Sequence, residues 1–199
     1  MHRPGDILID RHRIDARVSE LAREITADLG RSDIRNPKSE ITLVPILTGS
    51  LIFLADLIRQ LPLPMRIKLI SVSSYPGGAT ESRGPRVRQG LTDLPASLAG
   101  QHVLVVDDIL DTGQTLSLVR DELAWREPAS LRTCVLLRKD RPQAQATPVD
   151  YVAFDIPDRF VVGYGLDHDD YHRNLPDIVE LHPATARQAR IGGARGVAP

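Results

Sequence analysis

Apolar residues recur along the chain with two periods that alternate. From 16 to 29, Val18, Leu21, Ala22, Ile25 and Leu29 fall three or four positions apart, which predicts an amphipathic helix with Gly30 as its left-handed cap. The next run, Ile41–Leu47, is apolar and partly β-branched throughout, as in a strand covered on both faces. Thr48-Gly49-Ser50 ends it, and Ser50 is placed to cap a second helix carrying Leu51, Phe53, Leu54, Leu57, Ile58 and Leu61, closed by Pro62. A strand follows over 66–72. Residues 73–90 are then mostly Gly, Ser, Pro and Arg with little to bury, which predicts a long mobile loop. A strand over 102–106 leads into a helix with Leu116, Val119 and Leu123 on one face, and 131–137, 151–154 and 160–164 supply further strands. Strands alternating with helices predict an α/β fold: a doubly wound, mostly parallel sheet with right-handed crossovers. Residues 1–181 read as one domain. The segment 182–199, rich in Ala, Gly and Arg, reads as a disordered tail.

Composition narrows the function classes. Lys and Arg total 25 against 26 Asp and Glu in 199 residues, a formal charge of −1, so no global basic field exists to hold nucleic acid. The single cysteine, Cys134, excludes an internal disulfide and thiolate zinc, and fits a reducing cytoplasm. The longest apolar run, 51–58, is broken by Asp56 and falls far short of the roughly 20 residues that span a bilayer. The amino terminus lacks the apolar core of a secretory signal. A cytoplasmic protein without a membrane partner is expected.

The segment most telling of chemistry is 103–115. An apolar strand runs into Asp107 and Asp108, then into Asp111-Thr112-Gly113-Gln114-Thr115, which opens a helix. Ligands bind at the carboxyl ends of parallel strands, and a helix amino terminus offers free N–H groups to an anion such as phosphate. Gly113 allows close backbone approach, and Thr112 and Thr115 add hydroxyl donors. Paired carboxylates suit ribose hydroxyls or hydrated magnesium. The combination describes a sugar phosphate with a metal beside it. A lone aspartate here would more often be a solvated helix cap, and three of them with this loop make that reading weak.

This segment resembles the phosphoribosyl pyrophosphate signature of type I phosphoribosyltransferases. Further motifs resemble the hypoxanthine-guanine branch: Leu47-Thr48-Gly49-Ser50 after a strand, Ser74-Tyr75 opening a loop with Thr80 and Ser82, Lys139 in Leu136-Leu137-Arg138-Lys139, and the run from Ile156 to Asp167. The match covers about 41–181 in the family's order. It implies the family's core sheet with a small hood lobe formed by the chain ends, and a dimer or tetramer.

The implied reaction is transfer of the 5-phosphoribosyl group from phosphoribosyl pyrophosphate to hypoxanthine or guanine, giving IMP or GMP and pyrophosphate with Mg2+. By this resemblance Asp111 exchanges a proton with the purine imidazole edge, and Asp107 and Asp108 hold ribose and metal with help from Asp167. Thr112, Gly113, Gln114 and Thr115 wrap the 5′-phosphate. Leu47, Thr48, Gly49 and Ser50 form a pyrophosphate loop, often with a cis peptide, to which Arg173 reaches. Thr48 stands where many members carry Lys, which removes a charged side chain and leaves the backbone donors. Lys139 donates to the purine 6-oxo group, Phe160 stacks on the base, and Val161 offers backbone hydrogen bonds to its edge. The loop over 73–90 is a lid in which Ser74 and Tyr75 carry over, while Pro76 and Gly77-Gly78 depart from the common Ser-Tyr-Gly opening.

Taken alone, several of these residues have plainer readings. Phe160 and Val161 would be core strand residues, Arg173 a solvated surface arginine, and Gly49-Ser50 an ordinary strand-to-helix turn. His168 and His172, spaced i, i+4, could share a helix face, yet nothing like a third zinc ligand accompanies them. Cys134 reads as a buried small hydrophobe, Trp125 as packing, and Arg187, Arg190 and Arg195 as solvated. Competing functions are a xanthine-preferring enzyme and a non-catalytic sensor of phosphoribosyl pyrophosphate with nucleic acid as target; Asp111 and the near-zero charge weigh against the sensor.

Overall fold

The computed structural model describes residues 3–31, 41–73, 86–87 and 94–182. The strands β1 (Arg3–Ile9), β2 (Ile41–Leu47), β3 (Met65–Ile67), β4 (Ile70–Ser73), β5 (Arg86–Val87), β6 (His102–Leu110), β7 (Ser130–Lys139), β8 (Tyr151–Ile156), β9 (Val161–Val162) and β10 (Ile178–His182) form two sheets. The larger has the order β5-β4-β2-β6-β7-β8 with β3 also on β2, and is parallel except for β5. The helices are α1 (Arg11–Arg31), α2 (Leu51–Gln60), α3 (Gln114–Ala124) and the short α4 (Pro142–Ala146). The fold is the α/β, doubly wound, mostly parallel class expected.

The apolar strands are dry because both faces are covered. Along β2, Ile41 and Leu43 pack toward α1 and α2, while Val44 and Ile46 pack toward α3; Leu104 and Val106 of β6 alternate with Val103 and Val105 in the same way. Ile14, Val18, Leu21, Ile25 and Leu29 line the buried face of α1. The hood is a three-stranded antiparallel sheet, β1-β10-β9, built from both ends of the described chain. Tyr164 ties it to α2 by donating to Asp56 Oδ2 at 2.6 Å. No helix among the described residues is long and apolar enough to cross a membrane.

Several expectations are corrected. The first helix starts at Arg11, where Asp10 Oδ1 accepts from the N–H groups of His12 and Arg13 at 2.9 and 3.1 Å, and it continues through Gly30 to Arg31. Ser50 does not cap α2 with its side chain, since its hydroxyl donates to Ile46 O at 2.6 Å. The strand expected over 66–72 is two strands, with Lys68 N–H donating to Leu43 O between them. Trp125, just past α3, is 87% exposed rather than packed. His168 and His172 lie in tight turns and not on a helix, whereas Cys134 is fully buried. His182 belongs to β10, and 183–199 lie outside the described residues.

Candidate active site

The site forms where β2, β6 and β7 end. β6 runs past the two acids to Leu110, so Asp107 and Asp108 lie within the strand rather than beyond it. Asp107 is 5% exposed and accepts from Asp108 N–H at 3.0 Å; Asp108 Oδ1 accepts from Ile109 N–H at 2.9 Å. Loss of solvent pushes both carboxyls above the ordinary carboxylate range. For Asp107 the neighbouring Asp108 charge adds to the rise, while for Asp108 hydrogen bonding and the Arg173 charge pull the other way.

Asp111, Thr112 and Gly113 then turn the chain into α3. Gly113 takes the helix N-cap position with φ +77°, and a Cβ there would lie 2.0 Å from Thr147 Oγ1. No side chain among the described residues caps this end, so the first N–H groups of α3 are left open beside Thr112, Gln114 and Thr115.

The turn after β2 lies alongside. The Leu47-Thr48 peptide is cis. A Cβ on Gly49 would come within 1.7 Å of Asp108 Oδ2, and one on Gly165 within 2.2 Å of Gly49 O, so only glycine lets these three segments meet. Gly165 belongs to the turn that carries Asp167 and Arg173. Arg173 donates to Gly165 O at 2.9 Å, and its Nη2 lies 2.9 Å from Asp167 Oδ1 and 3.0 Å from Asp170 Oδ1.

At the other end, sheet register does the placing. Leu110 pairs with Arg138 and Lys139 with Ile156, so the residues that follow, Asp111, Arg141 and Asp158, converge. Lys139, 6% exposed, donates from Nζ to Asp111 Oδ2 at 3.0 Å and lies 3.7 Å from Asp158 Oδ1. Arg141 Nη1 is 2.6 Å from Asp111 Oδ1 and its Nε 2.7 Å from Asp158 Oδ1. The Arg141 guanidinium holds the Asp158 carboxyl below its usual range. Phe160 is half exposed, with His168 edge-on at 5.2 Å between centroids, while Val161 is buried in β9. Phe160 is thus not a core residue.

The structure brings Asp107, Asp108, Asp111–Thr115, Leu47–Ser50, Lys139, Asp167 and Arg173 to the strand ends. Ser74 and Tyr75 lie outside the described residues. Arg141 and Asp158 went unnoticed in the sequence. Their signal was the strand register, which sets them beside Asp111 once β6, β7 and β8 are aligned as parallel neighbours.

Paired acids and a helix start without a side-chain cap gather at the carboxyl edge of a parallel sheet, which is where α/β folds of this class bind their ligands. The chain belongs to the phosphoribosyl transferase domain family, whose profile matches residues 6–169. It falls in the hypoxanthine-guanine branch. It is 44% identical over 170 residues to the hypoxanthine phosphoribosyltransferase of Haemophilus influenzae, spanning 85% of this chain and 91% of that protein. Identity to the hypoxanthine-guanine phosphoribosyltransferase of Mycobacterium avium is also 44%, over 190 residues, 93% of this chain and 91% of that one. The crystal structure of the Trypanosoma cruzi hypoxanthine phosphoribosyltransferase in complex with the product IMP matches at TM-score 0.79 and 40% identity, over 90% of this chain and 95% of that chain.

Proposed function

We propose that the chain is a purine-salvage enzyme that transfers the 5-phosphoribosyl group of phosphoribosyl pyrophosphate to hypoxanthine or guanine, with Asp111 exchanging the proton of the base. The observation that carries this reading is Lys139 Nζ, buried at the strand ends and 3.0 Å from Asp111, beside the uncapped start of α3. A buried ammonium demands an acceptor, and the 6-oxo group of the purine supplies one that adenine lacks.

The other roles follow from position. The N–H groups at the start of α3, with Thr112, Gln114 and Thr115, take the 5′-phosphate, and Gly113 keeps the approach open. Backbone donors of Leu47–Ser50, with Arg173, receive the pyrophosphate. Phe160 presents a face for the base, and the Val161 backbone its edge. As C1′ loses its bond to pyrophosphate, the electron pair leaves on the pyrophosphate oxygen and the purine nitrogen bonds to C1′. The ring N–H proton passes to the Asp111 carboxylate, a contribution of about 10²–10⁴-fold.

The residues fit Mg2+. Asp107, Asp108 and Asp167 offer hard carboxylate oxygens, and the desolvated pair would lose its proton readily to a divalent cation. Among the described residues no three ligating side chains cluster, so a cation held here would take most of its oxygens from substrate. Such an ion neutralises charge on the leaving pyrophosphate. A homodimer or homotetramer is part of the same reading, and light scattering tests it directly.

A panel of hypoxanthine, guanine, xanthine, adenine and orotate with phosphoribosyl pyrophosphate and Mg2+ tests the assignment. Nucleotide should form from hypoxanthine or guanine. Turnover led by xanthine would shift the acceptor, and silence across the panel with phosphoribosyl pyrophosphate still bound would overturn the enzymatic reading. Asp111→Asn should cut kcat by about 10²-fold or more while phosphoribosyl pyrophosphate binding persists.

A further inference from the structure

Asp111 is held by two cations, one on each oxygen. Arg141 Nη1 sits 2.6 Å from Oδ1 and Lys139 Nζ 3.0 Å from Oδ2. The two cations differ in freedom. Among the described residues Lys139 has Asp158 Oδ1, at 3.7 Å, as its other carboxylate neighbour, and its stem is a flexible chain buried in the sheet. Arg141 is fixed from several sides: its Nε lies 2.7 Å from Asp158 Oδ1, its backbone N–H donates to Lys139 O at 2.8 Å, and its carbonyl accepts from Gln145 N–H at 2.9 Å at the start of α4. One oxygen of Asp111 therefore meets, by charge contact, a guanidinium carried on a hydrogen-bonded turn, and the other accepts a hydrogen bond from an ammonium on a flexible stem.

We infer that Arg141 is the positioning residue of Asp111, and that a 6-oxopurine itself frees Asp111 for proton transfer by drawing Lys139 onto its keto oxygen. The inference rests on the roles of Asp111 and Lys139 proposed above. With Lys139 Nζ hydrogen-bonded to Oδ2, that oxygen is already occupied when the base arrives. When Nζ turns to the purine oxygen, Oδ2 is left open to the ring N–H, and Arg141 keeps the carboxylate in place through Oδ1. The ring N–H proton then moves to Oδ2, the ring nitrogen bonds to C1′, and the electron pair of the broken C1′–O bond leaves on pyrophosphate. A 6-amino group offers Lys139 only donors, so adenine leaves Nζ on Asp111. Recognition of the 6-position and release of the base become one event.

The test uses the full chain with hypoxanthine and compares Arg141→Gln, Arg141→Lys, Asp158→Asn and Asp111→Asn. Arg141→Gln should lower kcat by about tenfold or more while the KM for hypoxanthine moves less than about threefold and the Kd for phosphoribosyl pyrophosphate is unchanged, the signature of an interaction expressed in the transition state. Arg141→Lys should recover part of the lost kcat. Asp158→Asn, which leaves Arg141 and Asp111 charged but loosens the anchor, should give a smaller loss of the same kind and keeps the test open if Arg141→Gln folds poorly. A kcat for Arg141→Gln within about twofold of wild type, or a loss confined to KM, overturns the inference. If Asp111→Asn abolishes turnover while the Arg141 and Asp158 variants are silent, the inference alone fails; if Asp111→Asn retains turnover, the functional reading fails with it.

Discussion

At the end of the site proposed to hold phosphate, the turns after β2 and β6 meet their neighbours at glycines: Gly49 lies against Asp108, Gly165 against Gly49, and Gly113 against Thr147, each too close for a Cβ. At the end proposed to hold the base, four charged side chains, one on β7 and the others in the turns after β6, β7 and β8, hold one another by ion pairs. The first arrangement suits a ligand whose charge is the same in every turnover, because donors fixed in the backbone need no reorganisation when the anion arrives. The second suits a ligand whose identity must be checked, because an ion pair can be exchanged for a substrate contact and a wrong substrate leaves it intact. Substitutions at the two ends should therefore fail differently.

The largest effect is expected at Gly49. In Gly49→Ala the new carbon would fall 1.7 Å from Asp108 Oδ2, so the strand-end carboxylate and the β2 turn must separate. A displacement of about 1 Å at groups proposed to hold the reacting sugar costs on the order of 10²-fold in turnover. Steady-state kinetics should show kcat/KM for phosphoribosyl pyrophosphate collapsing. Retained activity would mean that the phosphate end tolerates motion and that the contrast with the base end is false.

Gly113→Ala should act on stability as well. A side chain at φ +77° costs about 1–2 kcal/mol, and the contact with Thr147 Oγ1 adds to it. For a chain of this length each kcal/mol corresponds to roughly 2–4 °C in Tm. Thr147→Ala in the same background removes the contact and leaves the dihedral cost, so a double-mutant cycle by thermal melts separates the two. Full rescue by Thr147→Ala would show that φ carries no penalty here.

The two ends were also unequally visible in the sequence. The β6 turn announces itself, because its chemistry sits in side chains: an apolar strand, two acids, then Asp111-Thr112-Gly113-Gln114-Thr115 in register. The β2 turn carries its chemistry in peptide groups, and Thr48-Gly49-Ser50 reads as any strand-to-helix link until Gly49 is seen against Asp108. Arg141 and Asp158 lie 30 and 47 positions after Asp111, and only the pairing of Leu110 with Arg138 and of Lys139 with Ile156 brings them to it. Local periodicity carries no information about such register. The start of α1 was missed for a different reason: apolar periodicity begins only near Val18, and the signal at the true start is an acid, Asp10, two and three residues ahead of the N–H groups it caps. Phe160 misleads in the opposite direction, since an aromatic before Val161-Val162 looks like core, yet β9 is two residues long and leaves its ring half exposed.

The smallest effect sharpens the comparison from the side of stability. Asp107 is buried with no cation paired to it among the described residues, unlike Asp111, and its carboxyl is pushed well above the ordinary range by loss of solvent and by Asp108. Between the ordinary carboxylate range and the raised value, the folded chain binds more protons than the unfolded one, so stability falls as pH rises through that window and levels off above it. Each unit of difference is worth about 1.4 kcal/mol. The protons belong to the Asp107–Asp108 pair rather than to one residue. Asp107→Asn keeps an oxygen to accept from Asp108 N–H and removes the charge that costs stability. Above the window the variant should melt a few degrees higher than wild type, on the scale of roughly 2–4 °C per kcal/mol, and the gap should close as pH drops into the carboxylate range. Taking the difference between the two proteins cancels the histidines, which titrate in both. A gap that stays constant with pH, or a variant less stable at every pH, would mean that Asp107 is charged and satisfied in the folded chain, and that the phosphate end holds its carboxylates as comfortably as the base end does.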